Sequence, residues 1–210
     1  MKLYAATSNP GKLAEFASSA SGAGIEVLAL PGLAQMPEPV EDADTFMGNA
    51  EKKAREYSRL TPGLLVFADD SGLEAAALGG APGVRSARFA DDAGYDLHSG
   101  RRTDARNNDL LLERLPHASA FADRSARFVC ALALASDGEV LLRAEGTCSG
   151  ELLHAPRGTN GFGYDPLFLV PALGLTMAEL EPAAKWQLSH RGNAFRALLA
   201  QLAEIPGTEL

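Results

Sequence analysis

Apolar positions fall along this chain in short runs, separated by polar or glycine-bearing turns. Leu3 to Ala6 reads as a first strand, closed by the turn Thr7-Ser8-Asn9-Pro10-Gly11. Lys12 to Ser19 then switches to helical spacing, with Leu13 and Phe16 inward. Ser21-Gly22-Ala23-Gly24 leads into a second strand, Ile25 to Leu30. Strand, turn, helix and strand in that order open an α/β unit. Pro31 to Pro39 is a proline-bearing loop, and Asp44-Thr45 offers a cap for a long helix over Phe46 to Leu60. Leu64 to Ala68 reads as a buried strand, and the acids Asp69 and Asp70, followed by Ser71-Gly72, sit where that strand ends.

The second half is patterned less evenly. Leu73 to Leu78 runs into a rigid connection, Gly79-Gly80-Ala81-Pro82-Gly83. Ala90 to Thr103 is polar, and Tyr95 to Arg102 within it reads as an exposed excursion. Asn108 to Leu115 is helical in spacing. Ala126 to Ala135 and Glu139 to Thr147 are long strands around the hairpin signal Ser136-Asp137-Gly138. Pro156 to Asp165 is a glycine-rich loop, Leu167 to Val170 a short strand, and Met177 to Leu180 a helical turn at most. Asn193 to Ala203 closes the chain as an amphipathic helix. No internal repeat and no low-complexity tract interrupts this order. It predicts a mixed α/β fold: a twisted mixed sheet with a long antiparallel hairpin, and two lobes flanking a central cleft. One two-lobed domain over residues 1–210 is the expected organisation.

Composition narrows the partners more than the fold. With 210 residues, 46% of them apolar, the chain is able to bury a substantial core. Its net charge of -8 and pI near 5.0 exclude a nucleic-acid surface working by general positive potential. They leave room for a local basic pocket around a small anion. The apolar part of Met1 to Thr7 is too short for a signal peptide, and no segment reaches membrane-spanning length. A cytoplasmic protein with no membrane and no nucleic-acid partner is expected. Cys130 and Cys148 lack metal-ligand spacing and fit two thiols of a reducing compartment, a disulfide between them remaining open.

Four polar clusters carry candidate chemistry. Asp69 and Asp70 are adjacent carboxylates whose repulsion a divalent cation or a proton relieves, and a neighbouring hydroxyl, Ser71, suits magnesium. The alternative is a plain acidic turn. Strand alternation aims the two acids apart. Thr7 to Lys12 joins a strand to a helix without the Walker spacing, so it is either a phosphate-binding turn assisted by Lys12 or a helix cap with a surface lysine. Glu41, in the acidic stretch before the long helix, either joins the aspartates around one metal or complements the helix dipole. Asn49 and Lys53 are four apart and share a face of that helix. In the loop Gly158 to Pro166, glycines permit close backbone approach, Phe162 and Tyr164 offer rings for stacking, and Asp165 is an acceptor for a base edge. Lys185, His190 and Arg191 gather donors before the last helix. His98, His117 and His154 read as surface histidines.

Together these segments resemble the inosine triphosphate pyrophosphatase family. The matching stretches are Thr7 to Lys12, then Phe46 with Asn49-Ala50 and Lys53-Ala54, then Ala68 to Leu73. Gly79 to Val84 with Ser86 to Arg88, Gly161 to Pro166 and Ser189 to Gly192 complete the set, in the family's order over almost the whole chain. Two departures are visible. Arg85 stands where the family's pattern has an aromatic, and Tyr95 to Arg102 looks inserted. The resemblance implies a homodimer, a magnesium cofactor, and hydrolysis of dITP, ITP and XTP to the monophosphate and pyrophosphate. It makes Asp70 the proton acceptor and a metal ligand, with Glu41 the second ligand. It assigns Thr7, Ser8, Asn9, Pro10, Gly11, Lys12, Lys53 and Ser71 to the triphosphate. Phe162, Gly163, Tyr164, Asp165, Lys185, His190 and Arg191 are assigned to the base. Two other readings stay open: a broader pyrophosphatase acting on modified pyrimidine or standard triphosphates, and a nucleotide-binding regulator without catalysis.

Overall fold

The structure is a computed structural model that describes residues 1–20, 24–115 and 123–204. The expectations for the connection at 21–23 and for His117 lie outside the described residues. Strands are β1 (Lys2–Ala5), β2 (Glu26–Ala29), β3 (Val66–Ala75), β4 (Ser125–Ser136), β5 (Glu139–Leu152), β6 (Phe168–Val170) and β7 (Leu175–Thr176). Helices are α1 (Pro10–Ala20), α2 (Phe46–Leu60), α3 (Phe89–Asp92), α4 (Thr103–Arg114), α5 (Pro182–Leu188) and α6 (His190–Ala203). The strands are hydrogen-bonded in the order β2-β1-β3-β4-β5-β6-β7. β1 runs parallel to both β2 and β3, whereas β6 is antiparallel to β5 and to β7, so the sheet is mixed. The expected α/β class and long hairpin are both present.

The chain divides into two compact units. The first holds Met1–Asp70, Cys130–Thr147 and Trp186–Leu210; the second holds Ser71–Val129 and Cys148–Lys185. In the first unit the period of two along the strands sorts residues onto two faces. Leu3, Ala5, Phe67, Cys130, Leu132 and Leu134 join Phe16 of α1 and Phe195 and Leu198 of α6 in one buried cluster. Phe16 is its hub, with ring centroids 5.1 Å from Phe67, 5.2 Å from Phe195 and 6.0 Å from Trp186. On the opposite face Val66 packs with Leu30 and Tyr57 of α2, and with the partly buried Tyr4. Over Val66 to Asp70, odd residues of β3 therefore turn to α1 and α6, and even residues to α2.

The β4–β5 turn is two residues long, Asp137 (φ 50°) and Gly138 (φ 85°), as a tight primed hairpin requires. It is tied to the end of α2: the Gly138 amide donates to Ser58 Oγ at 3.0 Å, and the Gly63 amide donates to Asp137 Oδ1 at 2.9 Å. In the second unit, Leu73, Phe89, Leu110, Leu111, Phe128, Leu167, Phe168 and Met177 are buried, and the Phe128 and Phe168 rings lie 4.4 Å apart. Both cysteines are free thiols, Cys130 buried and Cys148 half-buried. No helix among the described residues is long and apolar enough to cross a membrane.

Three sequence expectations are corrected. β3 does not end before the aspartates but continues through Asp69 and Asp70 to Ala75, because each acid finds buried partners on its own face of the sheet. α4 begins at Thr103, five residues before the expected Asn108. α6 begins at His190, because the Ser189 side chain accepts from the Gly192 amide at 3.1 Å and caps the helix there. His190 and Arg191 are thus inside its first turn rather than ahead of it. A short helix that the pattern does not suggest, α5, carries Lys185.

The aromatic hub yields a direct test. Phe16→Ala is expected to lower unfolding free energy by about 3–5 kcal/mol, the usual loss for an aromatic core truncation. Urea titration followed by fluorescence of Trp186, the chain's one tryptophan, reads it.

Candidate active site

Two adjacent acids on β3 sit in opposite electrical surroundings. Asp69 is 4% exposed. Its Oδ2 is 2.7 Å from Lys12 Nζ and 3.9 Å from Arg191 Nε. Arg191 also reaches Glu15 Oε2 at 3.1 Å through Nη1. Lys12 and Glu15 are three apart on α1 and so share a face. Burial pushes the Asp69 pKa up, but Lys12, Arg191 and Lys53 outweigh it and hold the carboxyl well below the ordinary range.

Asp70, 9% exposed, points the other way, toward α2. Asn49 Nδ2 donates to Asp70 Oδ2 at 3.0 Å, and Lys53 Nζ lies 3.6 Å from Oδ1. Here burial is the largest influence and the pKa is raised; Lys53 and the Asn49 bond oppose the rise, while Glu41 and Asp69 add to it. Lys53 shows the converse. Burial lowers its pKa, but Asp70, Asp69 and Glu41 prevail and raise it. The same ammonium is 2.5 Å from Glu41 Oε1. Glu41 and Asp70 are therefore brought around one cation.

Local sequence explains this convergence. Thr45 caps α2, accepting from the Gly48 amide at 3.0 Å. Asn49 Oδ1 accepts the Ala43 amide at 2.9 Å, which folds the acidic stretch back against the helix. A Cβ on Gly48 would lie 2.8 Å from that of Ala43, so glycine is what allows the approach. At the β1–α1 turn, Asn9 Oδ1 accepts the amides of Gly11 at 2.9 Å and Lys12 at 3.2 Å, and Thr7 Oγ1 accepts the Asn9 amide at 3.2 Å. Pro10 takes the first helical position, where no amide hydrogen is needed. The cap reading of this turn is realised by Asn9, while Lys12 lies against Asp69 rather than on the surface. Ser8 stands in the same turn, and Ser71 directly follows Asp70 on β3.

The second unit holds the aromatic loop. Asp165 Oδ2 accepts the Phe162 amide at 2.9 Å and is 2.8 Å from Lys185 Nζ, both side chains being buried. Lys185 Nζ lies 5.1 Å over the Phe162 ring, a cation–π contact. Gly161 has φ +77°, and a Cβ there would lie 2.1 Å from Asp165 Oδ2. Asp165 is thus the organiser of its own loop. The Tyr164 hydroxyl donates to the Ser86 carbonyl at 2.8 Å, and burial pushes its pKa up. Gly163 is held at both backbone groups: its amide donates to Asp104 Oδ2 at 3.0 Å, and its carbonyl accepts from Asn108 Nδ2 at 3.0 Å.

Sequence-predicted residues are therefore gathered into two sets. Lys12, Glu41, Lys53, Asp69, Asp70 and Arg191 form one network in the first unit, with His190 buried beside Arg191 in α6. Phe162, Gly163, Tyr164, Asp165 and Lys185 form the other in the second unit. Arg191, grouped with the base on sequence, pairs here with Glu15 and Asp69. Glu15 is a member that sequence reasoning misses, although its spacing from Lys12 is a readable signal. Asp104 escapes it because the polar pattern places the start of α4 too late. His98 and His154 are exposed, as expected, and Arg85 pairs with Asp92 through two bonds of 2.6 and 2.7 Å.

Fold and clusters together define an α/β protein whose mixed sheet carries a buried acid–cation network. A family model described as the Ham1 family matches residues 3–201. A dITP/XTP pyrophosphatase of Acidobacterium capsulatum is 52% identical over 202 residues, covering 96% of this chain and 98% of its own. One from Burkholderia pseudomallei is 51% identical over 207 residues, covering 97% and 94%. Among solved structures, a HAM1 protein from Coxiella burnetii matches with a TM-score of 0.82 at 39% identity, covering 98% of this chain and all (100%) of that one. The chain belongs to the Ham1 family, and the resemblance carried by its six motifs is borne out.

The network predicts a pH signature. Asp69→Asn removes the shared partner of two cations, and breaking a buried pair in this way costs about 3–5 kcal/mol. Because the folded pKa is depressed, the contribution of Asp69 is fully present above its unfolded value near 3.9 and is lost as pH falls through the folded one. Urea unfolding is expected to show a constant deficit in the variant at neutral pH, shrinking below about pH 4.

Proposed function

We propose that this protein hydrolyses dITP, ITP and XTP to the nucleoside monophosphate and pyrophosphate. The observation that carries the reading is the division of labour between Asp69 and Asp70. One carboxylate is neutralised by Lys12 and Arg191; its neighbour is oriented by the Asn49 amide beside Lys53, and burial raises its pKa against the pull of both. A purely structural pair needs no such difference, whereas a proton acceptor beside an anion site does.

The residues fit a magnesium ion. Glu41 and Asp70 are hard oxygen donors facing one ammonium, and magnesium commonly takes one or two carboxylates and fills its remaining positions with phosphate oxygens and water. Among the described residues no larger group of His, Cys, Asp or Glu is gathered. When bound, the ion offsets phosphate charge and makes the phosphorus more open to attack. Lys12 and Lys53 add positive charge for the triphosphate, with Thr7, Ser8, Asn9, Pro10, Gly11 and Ser71 lining its approach. Asp70 orients the attacking water and accepts its proton at a carboxylate oxygen. The water oxygen bonds in line to the α-phosphorus, the bond from that phosphorus to the α–β bridging oxygen breaks, and pyrophosphate leaves with that oxygen.

Phe162 stacks on the purine, and the loop from Phe162 to Asp165 holds its edge. Lys185, His190 and Arg191 are donors, which suits the six-keto oxygen of inosine and xanthosine. The six-amino group of adenosine sets donor against donor, and an unpaired buried donor costs about 1–3 kcal/mol. The two free thiols support a reducing, cytoplasmic setting, and the family resemblance supports a homodimer.

Incubation with ITP and magnesium is expected to release pyrophosphate rather than orthophosphate. Asp70→Asn is expected to lower kcat roughly 10²–10⁴-fold while nucleotide binding survives. Lys12→Ala should raise KM, lower kcat, or both. A higher kcat/KM for ATP or dUTP than for ITP would overturn the selectivity argument, and near-normal turnover in Asp70→Asn would overturn the proton-acceptor assignment.

A further inference from the structure

We propose that Asp104 and Asn108 are positioning residues for the purine, acting through the backbone of Gly163. The inference rests on the assignment of the 161–165 loop to the base. The two side chains are four apart on α4 and so share a face. They take the two backbone polar groups of one residue with matched polarity. Asp104, an acceptor, meets the Gly163 amide, and the Asn108 amide nitrogen meets its carbonyl, each at 3.0 Å.

Gly163 is the hinge between the two aromatic residues of the loop. It has φ +61°, with open space where a Cβ would be, so backbone conformation rather than crowding selects glycine here. Fixing both of its peptide groups fixes the directions in which Phe162 and Tyr164 leave the chain. The same helix holds the far end of Tyr164. Asn107 Nδ2 donates to the Ser86 carbonyl at 3.2 Å, the carbonyl that also accepts the Tyr164 hydroxyl.

Asn108 Oδ1 is buried without a hydrogen-bond partner among the described residues. The amide nevertheless keeps its orientation, because turning it over would set Oδ1 against the Gly163 carbonyl oxygen. Its polarity is therefore dictated by the loop, and α4 acts as the fixed support on which the ring of Phe162 is aimed.

Steady-state kinetics with ITP, together with hydrogen exchange of the peptide spanning 161–165, test this. Asp104→Ala and Asn108→Ala are each expected to raise KM for ITP about five- to tenfold, the usual effect of one lost hydrogen bond, with kcat changed less than about twofold. Asp104→Asn, which still presents an acceptor, should recover most of the loss. Asn108→Asp, nearly the same shape but lacking the donor, should be worse than Asn108→Ala. Exchange over 161–165 should quicken in both alanine variants. An unchanged KM in both alanine variants, or no rescue by Asp104→Asn, overturns the proposal. If the unaltered protein releases no pyrophosphate from ITP, the functional reading fails by itself. Exchange then decides the clamp alone: quickening supports it, and unchanged protection overturns it.

Discussion

Everything at the candidate site depends on one constraint: consecutive residues of a strand face opposite ways. Asp69 and Asp70 are joined by a single peptide bond, yet one looks toward α1 and α6 and the other toward α2. Two bare carboxylates this close in the interior would repel and drive one another toward the neutral form. The sheet separates them, and each face supplies its own counter-charges. Lys12 and Arg191 answer Asp69, and Lys53 stands by Asp70 with Glu41. The strand can then run on to Ala75 instead of breaking at the acids.

That arrangement joins the core to the chemistry. The odd positions that bury Phe67 beside Phe16 also deliver Asp69 to the cations of α1 and α6. The even positions that bury Val66 against Tyr57 deliver Asp70 to Asn49. A one-residue slip of β3 would exchange the two acids along with the two sets of apolar neighbours. Packing thus enforces which carboxylate is neutralised and which stays basic. In the second unit the same economy recurs in a loop, where Asp165 ties Phe162 and Lys185 together.

Much of this is legible in the sequence. The bounds of α2, the hairpin, the α/β order and the face shared by Asn49 and Lys53 follow from period, caps and turn residues. What resists reading is tertiary. Asp69-Asp70-Ser71-Gly72 has the composition of a turn, and its place in the sheet and the partners of the two acids on three helices, α1, α2 and α6, are what hold it extended. Ser189 is visible as a cap residue, but His190 and Arg191 stand out as donors and mask the first turn of α6. Asp104 is hidden because the polar stretch before Asn108 gives no apolar period to count. The pairing of Arg191 with Glu15, 176 residues away, has no local signal at all.

The tie between the β4–β5 turn and α2 has a mechanical meaning. A helix of 15 residues is about 22 Å long, and Asn49 and Lys53 sit near its first turns. Ser58, near the other end, is anchored to Gly138, and Asp137 fastens the chain just past it. Rolling α2 about its own axis would tear that mooring. The azimuth of Asn49 and Lys53 around the helix is consequently set from its heel, so a change in the hairpin tip, far from any carboxylate, would be felt as a twist at Asp70.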